Sequence, residues 1–288
     1  MLKKIDVFLK SFFNTILTLC KILIQSDLRL VNLKSQSLKD SFIILGNGPS
    51  LEDSLLNDIV LLKSKVLCCV NQFATTAHFE ILKPENYVLL DEAFVDEHHE
   101  IAQKTISALV TLTSWPLKLF LPVKFKKCKS IIRKLESNPN IEISYFNNTI
   151  AEGFDSFCHF LYRHRFAMPR SQNVLIAALA IGIIENYKKI ILLGADHSWH
   201  EGFKLTSKGE LWYEDSHFYG KRAMGTSYFV NEKESFLAQQ FLSLHKVFKA
   251  YERLNKFAAI EKVEIINSST KSYIDVFKKE KLSNIKWS

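Results

Sequence analysis

Four apolar residues that run into a glycine-bounded polar turn limit the fold of this chain more than any other stretch. In Phe42-Ile43-Ile44-Leu45-Gly46-Asn47-Gly48-Pro49-Ser50-Leu51 the apolar run has the length of a buried strand, and Gly46 and Gly48 let the backbone turn tightly and approach a ligand. Ser50 is a favourable N-cap for a helix near Ser50–Lys63, with Glu52 and Asp53 in the first turn, where carboxylates suit the helix dipole. A second apolar run, Val66-Leu67-Cys68-Cys69-Val70, ends in Asn71-Gln72-Phe73. Paired in parallel, the two runs bring Asn47 and Asn71 side by side at the carboxyl edge of a sheet. Ligands of open α/β sheets bind in the crevice outside that edge. Free N–H groups at the helix start favour an anion, and the Asn47 carboxamide both donates and accepts. The turn is not the dinucleotide fingerprint, which needs a third glycine where Leu51 stands. It is not a P-loop either, because no Gly-Lys-Ser/Thr follows.

The rest of the chain continues the alternation of strands and helices, which argues a mostly parallel sheet. Asn86–Leu90 leads as a strand to Asp91, and Val95–Ala108 reads as a helix with Asp96, Glu97, His98, His99 and Glu100 on a polar face. Leu119–Pro122 and Ile141–Phe146 are further strands. Ser171–Asn186 is the clearest helix, its Ala177, Ala178, Ala180 and Gly182 allowing close packing on a sheet. It feeds the strand Lys189–Leu193, which runs on through Gly194-Ala195-Asp196-His197. Residues 198–230 are long, polar and aromatic, as a lid or binding segment is. A helix over about Glu232–Lys256 and a last strand, Val263–Ser268, close the pattern.

The 288 residues, 47% hydrophobic and 24% charged, are ample for a core. They divide into an N-terminal helix at 1–30, one Rossmann-like α/β domain at 40–278 with a lid at 198–230, and a basic tail at 279–288. Five cysteines, two of them inside a strand and none at zinc spacing, point to a reduced cytosolic protein. The net charge of +8 is spread along the chain with no nucleic-acid module, so nucleic acid is not expected as a partner; the inner face of an anionic membrane suits the charge equally well. Met1–Gln25 is rich in Leu, Ile and Phe with interspersed lysines. Its uncharged run between Lys10 and Lys21 is ten residues, too short to span a bilayer. Two readings stand: an amphipathic helix on the membrane surface, or a helix packed on the domain. Self-association is left open.

Polar groups thus stand at four strand ends, Asn47/Gly48, Asn71, Asp91 and Asp196/His197, with Asn267/Ser268 as a fifth. The segments Ile43–Leu51, Asn71-Gln72-Phe73, Ser171–Asp196 ending in Leu-Leu-Gly-Ala-Asp, and Ser216-His217-Phe218-Tyr219-Gly220 resemble the bacterial lipooligosaccharide sialyltransferases that use CMP-activated sialic acid. They also resemble the related group of flagellin-modifying and pterin diphosphokinase-like proteins. The resemblance implies a single Rossmann-like domain whose donor site includes Gly46, Asn47, Gly48, Ser50, Asn71, Ser171, Gln172, Asp196 and Tyr219. It implies a CMP-sugar donor, a glycan acceptor and inverting transfer with no cofactor. No metal is expected, since no Asp-x-Asp motif is present.

Two departures bear on catalysis. The family's asparagine at the third strand end is matched by Asp91, whose charge would repel a sugar carboxylate unless it is protonated or faces the acceptor. The family's general-base histidine after Ser-His-x-x-Gly is matched by Lys221, which at its usual pKa holds its proton. His217 is the substitute base on pKa grounds, with His197 and His200 as further candidates, while Lys221 and Arg222 suit a phosphate. Two other classes stay open: a diphosphokinase-like transferase using magnesium held by Asp91, Asp196 and Asp215, and a nucleotide- or glycan-binding protein without catalysis.

Overall fold

Continuous apolar runs become strands buried on both faces, and in this chain they assemble into one parallel sheet. The computed structural model describes residues 2–32, 38–205, 207–208, 211–218, 220–225 and 236–287; the side chains of 2–3, 31–32, 215–216, 221–225 and 236 are outside the description. In chain order the elements are α1 (Leu2–Gln25), β1 (Lys39–Leu45), α2 (Leu51–Leu62), β2 (Leu67–Val70), α3 (His78–Leu82) and β3 (Asn86–Val88). Then come α4 (Glu100–Leu112), β4 (Leu117–Pro122), α5 (Lys129–Glu136), β5 (Ile141–Phe146), α6 (Asp155–Arg163), α7 (Val174–Ile184) and β6 (Tyr187–Leu193). The chain ends with β7 (Phe203–Leu205), β8 (Leu211–His217), β9 (Gly220–Gly225), α8 (Phe236–Ile260), β10 (Glu264–Asn267) and β11 (Lys278–Lys279).

The eight-stranded sheet has the order β11-β10-β6-β1-β2-β3-β4-β5, parallel throughout. The chain steps outward from β1 through β5, then returns to place β6 on the other side of β1. The order therefore reverses at β1/β6, the position where doubly wound sheets open a ligand crevice. Alternation along the strands divides the core. Phe42, Ile44, Cys68, Val70, Ile190 and Leu192 face one layer with α7 and α8. Ile43, Leu45, Leu67, Cys69, Ile191 and Leu193 face the other with α2 and α4. In α7 every residue from Val174 to Ile183 is buried. A Cβ on Gly182 would come within 2.8 Å of Ile190 and 2.9 Å of Phe42, so the small residue sets how closely this helix lies on β1 and β6.

Several element ends differ from the sequence expectation for local reasons. The run Asp96–Glu100 is a cap, not a helix face: Asp96 accepts from the His98 N–H at 2.9 Å and His99 Nδ1 from the Ala102 N–H at 3.3 Å, so α4 starts at Glu100. Asn173 is the N-cap of α7, its side chain accepting from the Ile176 N–H at 3.1 Å. Residues 198–230 are not one long loop. A 3₁₀ turn at Trp199–Gly202 and the antiparallel sheet β7-β8-β9 occupy the described part. The basic tail is also built in: Lys278 and Lys279 pair with Ile266 and Asn267 of β10, and Leu282 and Ile285 are buried. All five cysteines are free.

At the amino edge of the sheet Glu185 lies buried among Lys39 (3.0 Å), Arg165 (3.2 Å) and Lys118 (3.6 Å). Burial pushes its pKa up, but the pull of Lys118, Lys39 and Arg165 outweighs this and leaves it below the ordinary glutamate value. Glu185→Gln leaves three cations around a neutral group. Urea denaturation is expected to show a loss of about 3 kcal/mol.

Helix α1 has 24 residues, about 36 Å of helix. Its stretch Lys4–Gln25, with a mean hydropathy of 1.7 over its most apolar 18 residues, is long and apolar enough to cross a membrane by length and composition. This differs from the sequence expectation, which counted only the uncharged run. One side of α1 is seated on the domain: Thr18 and Ile22 are buried, and the Thr18 hydroxyl donates to the Glu152 carbonyl at 2.8 Å.

Candidate functional site

A cleft of about 1040 Å³ opens at the carboxyl edge of the sheet over the β1/β6 reversal. Its wall includes Asn47, Gly48, Asn71, Asp91, Ser171, Gln172, Asp196 and His217, eight of the residues that the sequence singled out. Gly46 and Ser50 sit behind the wall. Tyr219 lies outside the described residues, and so does the side chain of Lys221, whose backbone pairs with Ser216 across β8 and β9.

The glycine turn owes its shape to contacts across the sheet rather than to a ligand. The Gly46 N–H donates to the Leu193 carbonyl at 2.8 Å and the Gly48 N–H to the Gly194 carbonyl at 2.8 Å, stitching the β1 turn to the β6 turn. A Cβ on Gly46 would collide with the Gly194 carbonyl, and one on Gly48 with the Asp196 carboxylate. Ser50 stands at the N-cap position of α2 as expected but makes no side-chain cap bond. Its hydroxyl is turned to Asp196, and its N–H donates to Asp196 Oδ2 at 2.9 Å. Asp196 therefore holds the anion position at the start of α2 that the sequence reading left for a ligand. Burial pushes the Asp196 pKa up, against the Ser50 donors that lower it.

The two asparagines are arranged differently. Asn47 Nδ2 makes a long contact of 3.4 Å to the Val70 carbonyl, while its Oδ1 is buried without a partner. Asn71 Oδ1 is likewise buried and unpartnered, and the Asn71 backbone has φ +49°, a conformation that asparagine adopts more readily than most residues. The Tyr87 hydroxyl fixes it there by donating to the Asn71 carbonyl at 2.5 Å. Buried carboxamide oxygens normally have a donor; these two, on adjacent strand ends, have none among the described residues.

Asp91 spends a carboxylate oxygen on the Ala93 N–H at 2.9 Å, the turn-starting role common after a strand, and remains exposed in the cleft wall. His217, at the end of β8, is half-buried in the wall. The small sheet is docked on the two motifs: the Phe218 N–H donates to the Asn47 carbonyl at 3.1 Å, and the Phe218 ring lies 5.7 Å from that of Phe73. Asn267 and Ser268 do not form a fifth cleft position. Asn267 donates to Ser272 Oγ at 2.8 Å and holds the loop whose Lys271 reaches the cleft, paired there with Glu201 at 2.6 Å.

His197 is buried and its backbone has φ +54°. Its Nε2 lies 2.6 Å from the Tyr251 hydroxyl and 3.3 Å from Asn173 Nδ2, and burial pushes its pKa down to about 3. Such an imidazole is a poor proton acceptor at neutral pH. The fold keeps His197 neutral, so its contribution to stability is complete above the ordinary pKa of 6.5 and is lost as pH falls toward 3. Urea denaturation between pH 7 and 5 should show a slope of up to about 1.4 kcal/mol per pH unit from this group. The slope should shrink in His197→Asn, which tolerates the positive φ.

Sequence reasoning did not single out Asn148, Asn173, Lys204 and Glu214 in the cleft wall, whereas Trp199 and Tyr213 fall in the 198–230 segment it read as a lid or binding segment. Only Asn173 carried a local signal, as the residue before an uninterrupted apolar helix. The described part of the wall holds five carboxylates (Asp91, Glu92, Asp196, Glu201, Glu214) against three lysines (Lys124, Lys204, Lys271). Among the described residues no three His, Cys, Asp or Glu side chains cluster as a metal site would.

No protein-family model matches this chain, and no curated protein does. Among solved structures, the MAf glycosyltransferase of Magnetospirillum magneticum AMB-1 matches 89% of the chain with a TM-score of 0.53 and 10% identity. The likeness is one of fold. The match covers 36% of that protein's own length, so this chain corresponds to about a third of it.

Proposed function

We propose that this chain is a glycosyltransferase that moves an acidic sugar, sialic acid or a related keto-sugar acid, from a CMP-activated donor to a surface-glycan acceptor with inversion. The observation that carries the proposal is the pair of orphaned carboxamide oxygens of Asn47 and Asn71 on the wall of one cleft. They want donors, and a cytidine amino group or ribose hydroxyls supply them. The likeness of fold to a MAf glycosyltransferase supports the reaction class, and the Gly-Asn-Gly-Pro-Ser-Leu and Asn-Gln-Phe motifs support the donor.

In this reading His217 takes the proton of the acceptor hydroxyl as it attacks the anomeric carbon, and CMP leaves with the bonding electrons. Strand β9 places Lys221 and Arg222 in register with Ser216 and Asp215 on β8, two residues or fewer from His217. Their charges suit the departing phosphate, which the carboxylate-rich described wall does not. Asp91 belongs on the acceptor side, away from the donor's own carboxylate.

Calorimetry with CMP, CDP, UDP, GDP and ATP tests the donor class: CMP should bind most tightly, and a preference for ATP would overturn the assignment. Hydrolysis of a CMP-sugar by the purified protein should fall by about a hundredfold or more in His217→Ala. Unchanged turnover in that variant would remove His217 from the mechanism.

A further inference from the structure

Helix α1 carries two faces with opposite fates. Thr15, Thr18 and Ile22 line the side turned to the domain: Thr18 Oγ1 accepts from the Glu152 N–H at 3.0 Å, and Thr15 Oγ1 from the Phe154 N–H at 3.4 Å. Just beyond the helix, the Ser26 hydroxyl donates to the Phe166 carbonyl at 2.8 Å and the Asp27 N–H to Asn147 Oδ1 at 2.8 Å. The other side presents Leu9, Phe12, Phe13, Ile16, Leu23 and Ile24, from 44% exposed at Ile16 to 83% at Ile24. At 100° per residue these six fall within an arc of roughly 120° centred opposite Thr18. No lysine interrupts the arc; the one charged residue on it is Asp6, at its edge in line with Ile24 and paired with Lys10 at 2.8 Å.

We infer that α1 is an in-plane membrane anchor, lying flat in the surface of an anionic bilayer with its free apolar face in the acyl region and the domain above it. A large apolar face with charge on its borders is the pattern of interfacial helices. Lys10 and Lys21, roughly 40–60° beyond one edge of the arc, reach the headgroups while the face beside them is buried. A spanning arrangement would draw Thr15 and Thr18 away from Glu152 and Phe154 into hydrocarbon, where their hydroxyls lose these partners. A second copy of the helix is a poorer match, because a helix pair covers a narrow seam and leaves most of such a broad face in water. The loop that seats α1 through Glu152 also brings Asn148 to the cleft wall. The site therefore stands one short loop away from the bilayer. The inference does not depend on the identity of the donor.

Sedimentation with vesicles of phosphatidylcholine containing about 30% phosphatidylglycerol is expected to carry down the full chain. Binding should weaken severalfold on pure phosphatidylcholine and at about 0.5 M salt. The double variant Phe13→Glu/Ile16→Glu, on the free face, should bind at least about tenfold more weakly with an unchanged melting temperature. In a Cys128→Ser background, vesicles should protect the exposed Cys20 from a membrane-impermeant maleimide. Lys4→Cys and Gln25→Cys, made without Cys20, should both stay reactive from outside, as an in-plane helix requires. Protection of one of these ends until detergent is added would overturn the inference in favour of a spanning helix. Absence of vesicle binding, with a dimer in sedimentation velocity that the double variant dissociates, would overturn it in favour of a second copy.

Discussion

Asn47→Ala should weaken CMP binding by about 10- to 100-fold in calorimetry, and Asn47→Ala/Asn71→Ala should bring it below detection. The size follows from where the oxygens lie. Each is buried and without a protein donor, so a ligand donor that pairs with it leaves water for a site where no substitute exists. Losing such a partner leaves the ligand group unpaired at a cost of about 1–3 kcal/mol. Asn71 needs a control, because its φ of +49° makes alanine unfavourable for the backbone. Asn71→Gly keeps the conformation and removes only the carboxamide, and it should show the same loss of affinity with little loss of stability. Unaltered CMP affinity in Asn47→Ala and Asn71→Gly would dismiss the site.

Gly46→Ala should cost about 3 kcal/mol or more in urea denaturation, more than an ordinary overpacking change. The added Cβ meets the Gly194 carbonyl, with its carbon 3.0 Å away, and neither backbone can yield. The Gly46 N–H is bonded to Leu193 and the Gly48 N–H to Gly194, so a shift of either turn breaks the stitching between β1 and β6. Gly48→Ala meets the Asp196 side chain, which can rotate at the expense of its bonds to Ser50, and also the Gly194 carbonyl oxygen at 2.7 Å, which is backbone. It should destabilise as well, and donor binding should suffer through displacement of Asn47. Equal stability of Gly46→Ala and the parent protein would show that the turn is not built as described.

The strands were legible because strands buried on both faces are written as continuous apolar runs. Phe42–Leu45, Leu67–Val70 and Ile190–Leu193 need no partner to be recognised. The small sheet escaped notice for the converse reason. Leu211–His217 alternates with no core beneath it to make the alternation apolar on one side, so hydrophobic periodicity had nothing to report. The cleft was legible in half: Asn47 and Asn71 follow from motif and strand order, whereas no local pattern announced that Ser50 and Asp196 bond each other.

By itself the sequence determined the parallel α/β architecture, the strand ends that face the cleft and the helix that packs on β1 and β6, since all rest on patterns within about a dozen residues. Tertiary structure alone decided which polar groups satisfy each other and which are buried without a partner. Ser50 meets Asp196 across 146 residues and His197 meets Tyr251 across 54, and Asn47 and Asn71 are left with oxygens that nothing answers. It also decided which face of α1 is covered. A hydrogen bond depends on a few tenths of an ångström between groups that the chain brings together only when the whole sheet has closed, and no local pattern records that distance.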